Sequence, residues 1–250
     1  MVRLDIAGAV ASITLDRPDR RNALSPEMLD AIPAMVDRAA RDARVIVLRG
    51  EGRAFCAGFD LSLCRDDPSG ETMRSLLRGL SMAVRSLRRS RVPVVAAAHG
   101  AAIAGGCALL GGGDFVITND DARLGYPVLL LGVSPAVSAP FLRAAVGDAA
   151  CRERLLDTGL ISGREAARIG LAWRSVPGPE AVHPTAMELA ERLLSKSAAA
   201  LAATKAWLNE IDATGAAHWP DRALEASLGL AGGGEERSML PAAWGGGARE

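Results

Sequence analysis

The amino-acid sequence predicts an α/β protein built around a largely parallel β-sheet. Apolar runs at 45–48, 92–98 and 115–118 have the length of strands, and segments with helical periodicity separate them. Strands that alternate with helices are joined by right-handed crossovers, which place neighbouring strands parallel. The chain has 250 residues, of which 49% are hydrophobic and 23% charged, so it can bury a sizeable core.

The N-terminal residues predict two strands and then an amphipathic helix. Apolar runs at 2–6 and 10–15 flank a turn that contains Gly8. A helix start follows, because Ser25 can cap the first turn and Pro26 suits the first helical position. The next apolar residues have the spacing of one helical face. They are Met28, Leu29, Ile32, Met35 and Val36.

The rest of the chain is predicted to contain five further helices, and beyond residue 153 the predicted elements are mainly helical. The predicted helices lie at about 71–89, 105–110, 163–169, 180–195 and 198–211, with one more apolar run at 171–176. We expect residues 1–195 to form the core and residues 196–250 to form a C-terminal helical region. Glycine triplets at 232–234 and 245–247 predict a loose tail.

Two small-residue turns follow buried strands and are suited to hold one reactive carbonyl group. The first turn, at 53–61, follows the strand at 45–48, and the second, at 99–109, follows the strand at 92–98. A turn that leads into a helix can leave a backbone N–H pointing into a pocket. Two such N–H groups that converge on one oxygen form an oxyanion hole, where each donor contributes roughly 2.7–4 kcal/mol to catalysis.

Five short motifs occur along the chain in a characteristic order. They are Leu15-Asp16-Arg17-Pro18 with Asn22-Ala23-Leu24, Ala54-Phe55-Cys56-Ala57-Gly58-Phe59-Asp60, His99-Gly100 through Gly105-Gly106, Leu124-Gly125-Tyr126-Pro127-Val128, and Leu131-Gly132-Val133-Ser134-Pro135. In this order and at these separations the chain resembles the crotonase (enoyl-CoA hydratase/isomerase) superfamily over nearly its whole length. The resemblance implies a spiral of ββα units, with C-terminal helices that pack between the subunits of a homotrimer or a dimer of trimers.

The resemblance also implies a substrate and the residues that bind it. The substrate is an acyl-CoA thioester of fatty acid metabolism, and no cofactor or metal is implied beyond the coenzyme A of the substrate itself. The N–H groups of Phe59 and Gly105 are the implied catalytic donors to the thioester oxygen. The other candidate substrate-binding residues are Ala57, Gly58, Asp60, Leu61, Gly106 and Tyr126.

The sequence departs from the family pattern at the positions of the catalytic acids. Hydratases of the family use two glutamates, and the glycine motifs align these with Ala108 and Val128. A third position, at which some isomerases and dehalogenases carry an acid, aligns with Ala136. General acid–base catalysis contributes roughly 10²–10⁴-fold per group. We therefore expect the chain to hold a thioester carbonyl but to be a poor hydratase.

This departure leaves several functions open. An enzyme of the lyase or isomerase type could form the thioester enolate without a side-chain base, as decarboxylation of a malonyl-type ester does, or it could hydrolyse the thioester. A CoA-ester-binding protein without turnover is the alternative from a different class. A serine protease with the same spiral would need a serine where the chain has Gly105, Gly106 and Cys107.

Two polar residues near the predicted pocket each have two interpretations. Tyr126, the only tyrosine, either packs in the core with its hydroxyl hydrogen-bonded or faces the pocket and orients the substrate. Asp60 follows the predicted donor Phe59, and it either caps a turn or supplies the acid that the glutamate positions lack.

The composition argues against several other classes of protein. Lysine plus arginine equals aspartate plus glutamate at 29 each, so no overall charge favours nucleic acid or an anionic membrane. The four cysteines, Cys56, Cys64, Cys107 and Cys151, lack metal-binding spacing, which suits free thiols in a reducing cytoplasm. The N-terminus lacks the apolar core of a signal peptide. We expect a cytoplasmic protein that binds neither nucleic acid nor membrane.

Overall fold

The computed structural model describes residues 1–65, 67, 69–211, 214 and 218–241. The strands are β1 (Val2–Ala7), β2 (Val10–Leu15), β3 (Val45–Gly50), β4 (Val94–Ala98), β5 (Ala101–Ile103), β6 (Phe115–Asn119), β7 (Arg123–Gly125), β8 (Ile161–Ser162) and β9 (Arg174–Val176). The helices are α1 (Pro26–Asp42), α2 (Glu71–Arg89), α3 (Gly105–Leu110), α4 (Ala139–Leu156), α5 (Gly163–Arg168), α6 (Val182–Leu194), α7 (Ala198–Ile211), α8 (His218–Leu228) and α9 (Gly234–Met239).

The main sheet has the strand order β1-β2-β3-β4-β6-β9. Its first pair, β1 and β2, is antiparallel, and every later pair is parallel. Helix α1 connects β2 to β3 and α2 connects β3 to β4, as a parallel sheet requires. The predicted α/β fold with a largely parallel sheet is confirmed.

The apolar runs are continuous because the sheet is buried on both faces. In β3, Ile46 and Leu48 pack in the larger core cluster with residues of α1 and α2. Val45 and Val47 point the other way and join a second cluster with residues of α6. The side chains of residues 45–48 therefore alternate between two cores, and all four are apolar.

A second, smaller sheet was not predicted. It joins β5, β7 and β8, with β5 and β7 parallel and β7 and β8 antiparallel. Strand β5 has three residues, two of them alanine, so no strand pattern distinguishes it from the turn after β4.

Helix α4 was also not predicted as a unit. Its backbone breaks at Gly147, where φ is 77° and ψ is 174°.

The C-terminal helices pack on the core. The Lys205 ammonium on α7 contacts an Asp114 carboxylate oxygen at 2.6 Å, and the backbone N–H of Val137 donates to the Ser227 hydroxyl on α8 at 3.0 Å. The division into residues 1–195 and 196–250 stays a prediction. None of the helices in the described part of the chain is both long and apolar enough to cross a membrane.

The predicted loose tail is wrong at its first glycine triplet. Gly232 lies against the backbone of Gly70, so closely that a Cβ on Gly70 would meet Gly232 Cα at 2.4 Å. Arg74 donates to the carbonyl of Ala231 at 2.6 Å, and Ala231 is buried. Packing between two glycines requires the absence of side chains, a reason for glycine that composition does not distinguish from flexibility. The triplet at 245–247 lies outside the described residues.

Candidate active site

The two predicted turns lie side by side at the carboxyl ends of β3 and β4. The backbone N–H of Phe55 donates to the carbonyl of His99 at 2.9 Å, and that of Cys56 donates to Ala101 at 3.0 Å. The N–H of Ile103 returns a bond to Cys56 at 3.0 Å. Carboxyl ends of parallel strands meet at one edge of a sheet, so these bonds join two turns that are far apart in sequence.

Two glycines allow the turns to approach this closely. Gly58 has a φ of 95°, and a Cβ there would lie 3.0 Å from the carbonyl oxygen of Ile103. A Cβ on Gly106 would lie 2.4 Å from the carbonyl oxygen of Cys56. Both glycines were predicted to bind substrate. That role stays a prediction, and in the structure the two glycines bring the two backbones into contact.

The backbone around Phe59 directs its N–H away from the neighbouring chain. Leu24 pairs with this segment through the carbonyl of Gly58, at 2.7 Å, and the N–H of Asp60, at 2.9 Å. Because alternate residues of an extended segment face opposite sides, the N–H of Phe59 points to the other side. Among the backbone hydrogen bonds of residues 1–65 and the rest of the described chain, the Phe59 N–H has no acceptor.

Gly105 presents its N–H at the first turn of α3. The first N–H groups of a helix have no partner within the helix, and the Gly105 N–H has no backbone acceptor in the described part of the chain. The residue before it, Ala104, has a φ of 51° and a ψ of −113°. An alanine with positive φ is strained, and this unusual backbone sets the direction of the Gly105 N–H.

Phe59 and Gly105 line one cavity of about 200 Å³, which we call the front cavity. Ala57, Leu61 and Tyr126 from the predicted site also line it. The rest of its wall comes from α2, from the end of β5 with the turn that follows it, and from the segment after β7. These residues are Met73, Leu77, Leu80, Ile103, Ala104, Pro127, Val128, Leu131, Val133, Ser134, Pro135, Val137 and Ser138. Among these described lining residues, none has a carboxylate, an imidazole or an amine.

The three positions that align with family acids lie at different places around the site. Val128 lines the front cavity. Ala108, on α3, is 3% exposed and lines a second cavity on the far side of Tyr126. Ala136 lies in neither cavity and faces a surface cleft between α4 and α8. A side chain at 128 therefore reaches the front cavity most directly.

Asp60 is held away from the front cavity by a charged partner. Its carboxylate accepts hydrogen bonds from the Arg17 guanidinium at 2.9 Å and the Ser62 hydroxyl at 2.5 Å. Burial opposes ionisation of Asp60, but the bonds from Ser62 and Arg17 outweigh it and lower the pKa of the carboxyl. Asp60 does stand at the N-cap of the 3-10 turn Leu61–Cys64, but its side chain makes no capping bond to a backbone N–H and is not among the residues that line the cavity.

Tyr126 combines both interpretations that the sequence left open. It is 3% exposed and lines the front cavity, and its hydroxyl is hydrogen-bonded to Cys107 and Ser138. Burial raises the pKa of the Tyr126 hydroxyl well above its ordinary value, so the hydroxyl stays protonated at neutral pH. Burial also raises the pKa of the Cys107 thiol to about 11, which argues against a nucleophilic thiolate there.

Sequence reasoning missed three residues that shape this site. Arg17 belongs to a recognised motif, but its pairing with Asp60 spans 43 positions of sequence. Ser138 lies one residue before α4 and was not among the predicted site residues. The strain at Ala104 has no signal in the sequence, because alanine is not a residue that positive φ favours. Residues 1–65, 67 and the other described segments contain no cluster of three or more metal-binding side chains.

Comparison with known proteins supports the family resemblance that the motifs indicate. The enoyl-CoA hydratase/isomerase family profile matches residues 5–226. A putative enoyl-CoA hydratase of Thermus thermophilus is 36% identical over 203 residues, which are 79% of either chain. The 1,2-epoxyphenylacetyl-CoA isomerase of Escherichia coli is 31% identical over 209 residues, 81% of this chain and 79% of that protein.

The fold is similar to that of solved structures as well. An enoyl-CoA hydratase/isomerase from Xanthobacter autotrophicus Py2 has 30% sequence identity and a TM-score of 0.87, over 97% of this chain and 92% of the other. One from Mycobacterium paratuberculosis has 27% identity and a TM-score of 0.84, over 96% and 97%. With the profile match over most of the chain, these similarities show that the protein belongs to the enoyl-CoA hydratase/isomerase family of the crotonase superfamily.

Proposed function

We propose that the protein binds acyl-CoA thioesters and stabilises their enolates through the N–H groups of Phe59 and Gly105. Both residues line the front cavity, and neither N–H donates to the backbone of any described residue. Two donors fixed by the backbone need no reorganisation when negative charge develops on the thioester oxygen, which is the condition for strong electrostatic catalysis. Family membership supports the thioester as the ligand.

The reaction that fits this site best forms the enolate without a side-chain base. The single observation that carries this conclusion is the front cavity, whose described lining includes no carboxylate or imidazole. Tyr126, the one titratable residue in that lining, stays protonated at neutral pH because burial raises its pKa. A site of this kind cannot activate a water for hydration by the family's two-glutamate mechanism.

Decarboxylation of a malonyl-type thioester forms an enolate without a side-chain base, as this site requires. The bond between the carboxyl carbon and Cα breaks, and carbon dioxide leaves. The electron pair of that bond forms the enolate double bond, while the carbonyl π electrons move to the thioester oxygen. A proton from water then reaches Cα and completes the product. The two N–H donors stabilise the charged oxygen, and apolar residues surround the leaving carbon dioxide.

A panel of CoA esters tests this proposal directly. The purified protein is incubated with malonyl-CoA, crotonyl-CoA and butyryl-CoA, with free coenzyme A as the control for binding of the nucleotide alone. Thermal unfolding reports binding, and mass spectrometry reports acetyl-CoA, hydroxybutyryl-CoA or free coenzyme A as products. We expect all three esters to raise the midpoint and malonyl-CoA to lose carbon dioxide.

Other outcomes of the panel separate the alternatives. Release of free coenzyme A would identify thioester hydrolysis. Stabilisation by every ester with no product would support a CoA-ester-binding protein without turnover. No stabilisation by any ester would contradict the whole proposal.

We further propose a homotrimer, or a dimer of trimers, in the cytoplasm. Helix α7 exposes three large apolar side chains close together, Trp207, Leu208 and Ile211, which are 50–63% exposed. Exposed apolar clusters of this kind are typical of subunit contacts. Light scattering should show an assembly at micromolar concentration, and Trp207→Glu should weaken it. A monomeric wild-type protein would contradict the proposal, and cell fractionation tests the location.

A further inference from the structure

Residues 21–24 form one side of the first turn, at 53–61. They lie between β2 and α1, outside the helices and strands given above. Three backbone hydrogen bonds join them to the turn. The N–H of Ala57 donates to the carbonyl of Arg21 at 2.9 Å, and Leu24 makes the other two. The first turn therefore depends on a segment that has no regular structure of its own.

Asn22 lies within this segment, and its side chain makes three hydrogen bonds in the interior. The residue is 0% exposed. Its Nδ2 donates to the carbonyls of Glu51 and Ala54, both at 2.8 Å, and its Oδ1 accepts from the backbone N–H of Arg17 at 2.8 Å. Both N–H donors of the amide are thus used. Because Glu51 and Ala54 bracket the loop that leads from β3 into the first turn, one side chain holds both ends of that loop.

The backbone of Asn22 makes a further contact with the turn and restricts which residue can stand there. Its carbonyl accepts a hydrogen bond from the Cys56 thiol at 3.2 Å, and burial raises the pKa of that thiol to about 12, so the thiol keeps its proton. The φ of Asn22 is 55°, in the left-handed region that asparagine, aspartate and glycine tolerate best. Of these three, only asparagine supplies two donors for buried carbonyls.

Leu24 connects Asn22 to both proposed donors. Its pairing with the turn is what directs the Phe59 N–H toward the other side. Its side chain also lies beside the second donor, since a Cβ on Gly105 would be 3.2 Å from Leu24 Cδ1. Only one residue separates Asn22 from Leu24, so a displacement of Asn22 also displaces Leu24.

We propose that Asn22 is a positioning residue for the carbonyl-binding site. Its amide holds residues 21–24 against the end of β3, and Leu24 then sets the direction of the Phe59 N–H. The inference rests on the proposed binding of acyl-CoA thioesters and adds a side chain on which the donor geometry depends. Buried carbonyls without a partner are costly, so without the amide the loop at 51–54 shifts toward other donors and the turn shifts with it.

Infrared spectroscopy of bound butyryl-CoA, isotope-labelled at its thioester carbonyl, tests this inference on the full-length protein. A hydrogen bond to the carbonyl oxygen weakens the double bond and lowers its stretching frequency, so the frequency reports the donors themselves. Asn22→Asp keeps the shape of the side chain and removes at least one of its two donors in either protonation state. Asn22→Gly keeps the left-handed backbone and removes all three side-chain bonds.

The matched control is Asn209→Asp. Asn209, on α7, is also buried, and its Nδ2 donates to the carbonyl of Arg88 at 2.9 Å. The control therefore makes the same chemical change to a buried amide that holds a main-chain carbonyl elsewhere in the fold. Circular dichroism and thermal unfolding check each variant, and Asn22→Gly supplies the measurement if Asn22→Asp does not fold.

We expect the carbonyl frequency of bound butyryl-CoA to be lower than in water for the wild type and for Asn209→Asp. Both Asn22 variants should lose part of this shift. They should also bind butyryl-CoA about two- to tenfold more weakly, the worth of one hydrogen bond. Their affinity for the thioether S-butyl-CoA, which has no carbonyl, should equal that of the wild type. A purely structural role of Asn22 would weaken the binding of both ligands alike.

The outcomes separate this inference from the proposed function. A wild-type stretching frequency in the folded Asn22 variants would overturn the inference and leave the proposed function in place. An equal loss of the shift in Asn209→Asp, or equal weakening of the ester and the thioether, would overturn it too. If the frequency of the ester bound to the wild type equals that in water, or if the ester does not bind, the proposed function itself fails.

Discussion

The two sides of the front cavity are built in different ways. On one side, the N–H groups of Phe59 and Gly105 are placed by the backbone, with Gly58 at positive φ and a strained Ala104. On the other side, Val128 stands at a position that the sequence motifs align with a family glutamate, and its neighbours are apolar. The proposed carbonyl-binding side is thus made of backbone groups, and the side opposite has no carboxylate among its described residues.

This difference separates the binding of a carbonyl from the transfer of a proton. A backbone N–H is present at every residue except proline, so substitutions that keep the fold also keep the donor. A catalytic carboxylate is lost by a single substitution. A family that shares one fold can therefore change its reaction on the side-chain side while the carbonyl stays bound in the same place.

The largest expected effect comes from restoring the acids. Wild-type hydration of crotonyl-CoA should be very slow, because two missing groups at roughly 10²–10⁴-fold each could together remove up to about 10⁸-fold. Val128→Glu should restore more activity than Ala108→Glu, since only residue 128 lines the front cavity. The double variant should exceed both, although without supporting hydrogen bonds the gain will be partial.

Loss of the enoyl-thioester absorbance measures this hydration. Val128→Gln with Ala108→Gln is the matched control, because it has the same shape without the acid. Thermal unfolding must show that the buried carboxylates have not unfolded the protein. Hydration by the wild type at the rate of an efficient enzyme would mean that another group supplies the acid, and our interpretation of the side-chain side would be wrong.

The second effect tests the backbone side. Gly105→Pro removes the N–H and should reduce turnover by about 10²–10³-fold, the loss typical of one oxyanion donor. Gly105→Ala is the matched control, since it keeps the N–H and adds a methyl group about 3.1 Å from the Phe59 ring. Proline also restricts the backbone conformation of the residue before it, which here is the strained Ala104.

The N–H of Phe59 can be removed with less disturbance of the backbone. An ester oxygen replaces the amide nitrogen of Phe59, introduced as the corresponding hydroxy acid. This change deletes the second donor and leaves the side chain intact. Steady-state kinetics on the ester that the panel identifies gives the comparison. Turnover equal to that of the wild type in a folded Phe59 ester variant would remove Phe59 from the site.

The same contrast explains what sequence reasoning found and what it missed. The two turns were predicted because a strand, a small-residue turn and a helix are local patterns. The family resemblance implied Phe59 and Gly105 as the donors within them, and that role stays a prediction. The ion pair of Asp60 with Arg17 was missed because it joins side chains 43 positions apart. No local pattern reports such a partner, so the carboxylate was interpreted from its neighbours in sequence alone.

The third effect is on stability and concerns that ion pair. Asp60→Asn should lower the free energy of unfolding by about 1–3 kcal/mol, because the partly buried Arg17 loses a charged partner. The pKa of Asp60 is lowered from 3.8, so the folded state binds its proton more weakly than the unfolded state. The stabilisation is therefore complete above pH 3.8 and is lost as the pH falls below it.

Urea unfolding at several pH values measures both parts of this prediction. In Asp60→Asn the pH dependence below 3.8 should be shallower than in the wild type. Asp19→Asn is the control, since Asp19 is exposed beside the same loop. Equal losses in the two variants would show that the Arg17 contact contributes no specific stability.

The smallest expected effect concerns the strain at Ala104. Ala104→Gly relieves a positive φ that costs alanine about 1–3 kcal/mol, and the greater freedom of glycine in the unfolded chain offsets about 0.5–1 kcal/mol of that gain. The variant should therefore be more stable by about 1 kcal/mol. Its turnover should fall several-fold, because a glycine before Gly105 no longer fixes the direction of the N–H.

Ala101→Gly, in the neighbouring strand β5, is the control and should be less stable by about 0.5–1 kcal/mol. A gain in stability without a fall in turnover would show that the Gly105 donor is positioned by packing alone, through the contact of Gly106 with Cys56, and that the strain at Ala104 has no catalytic role.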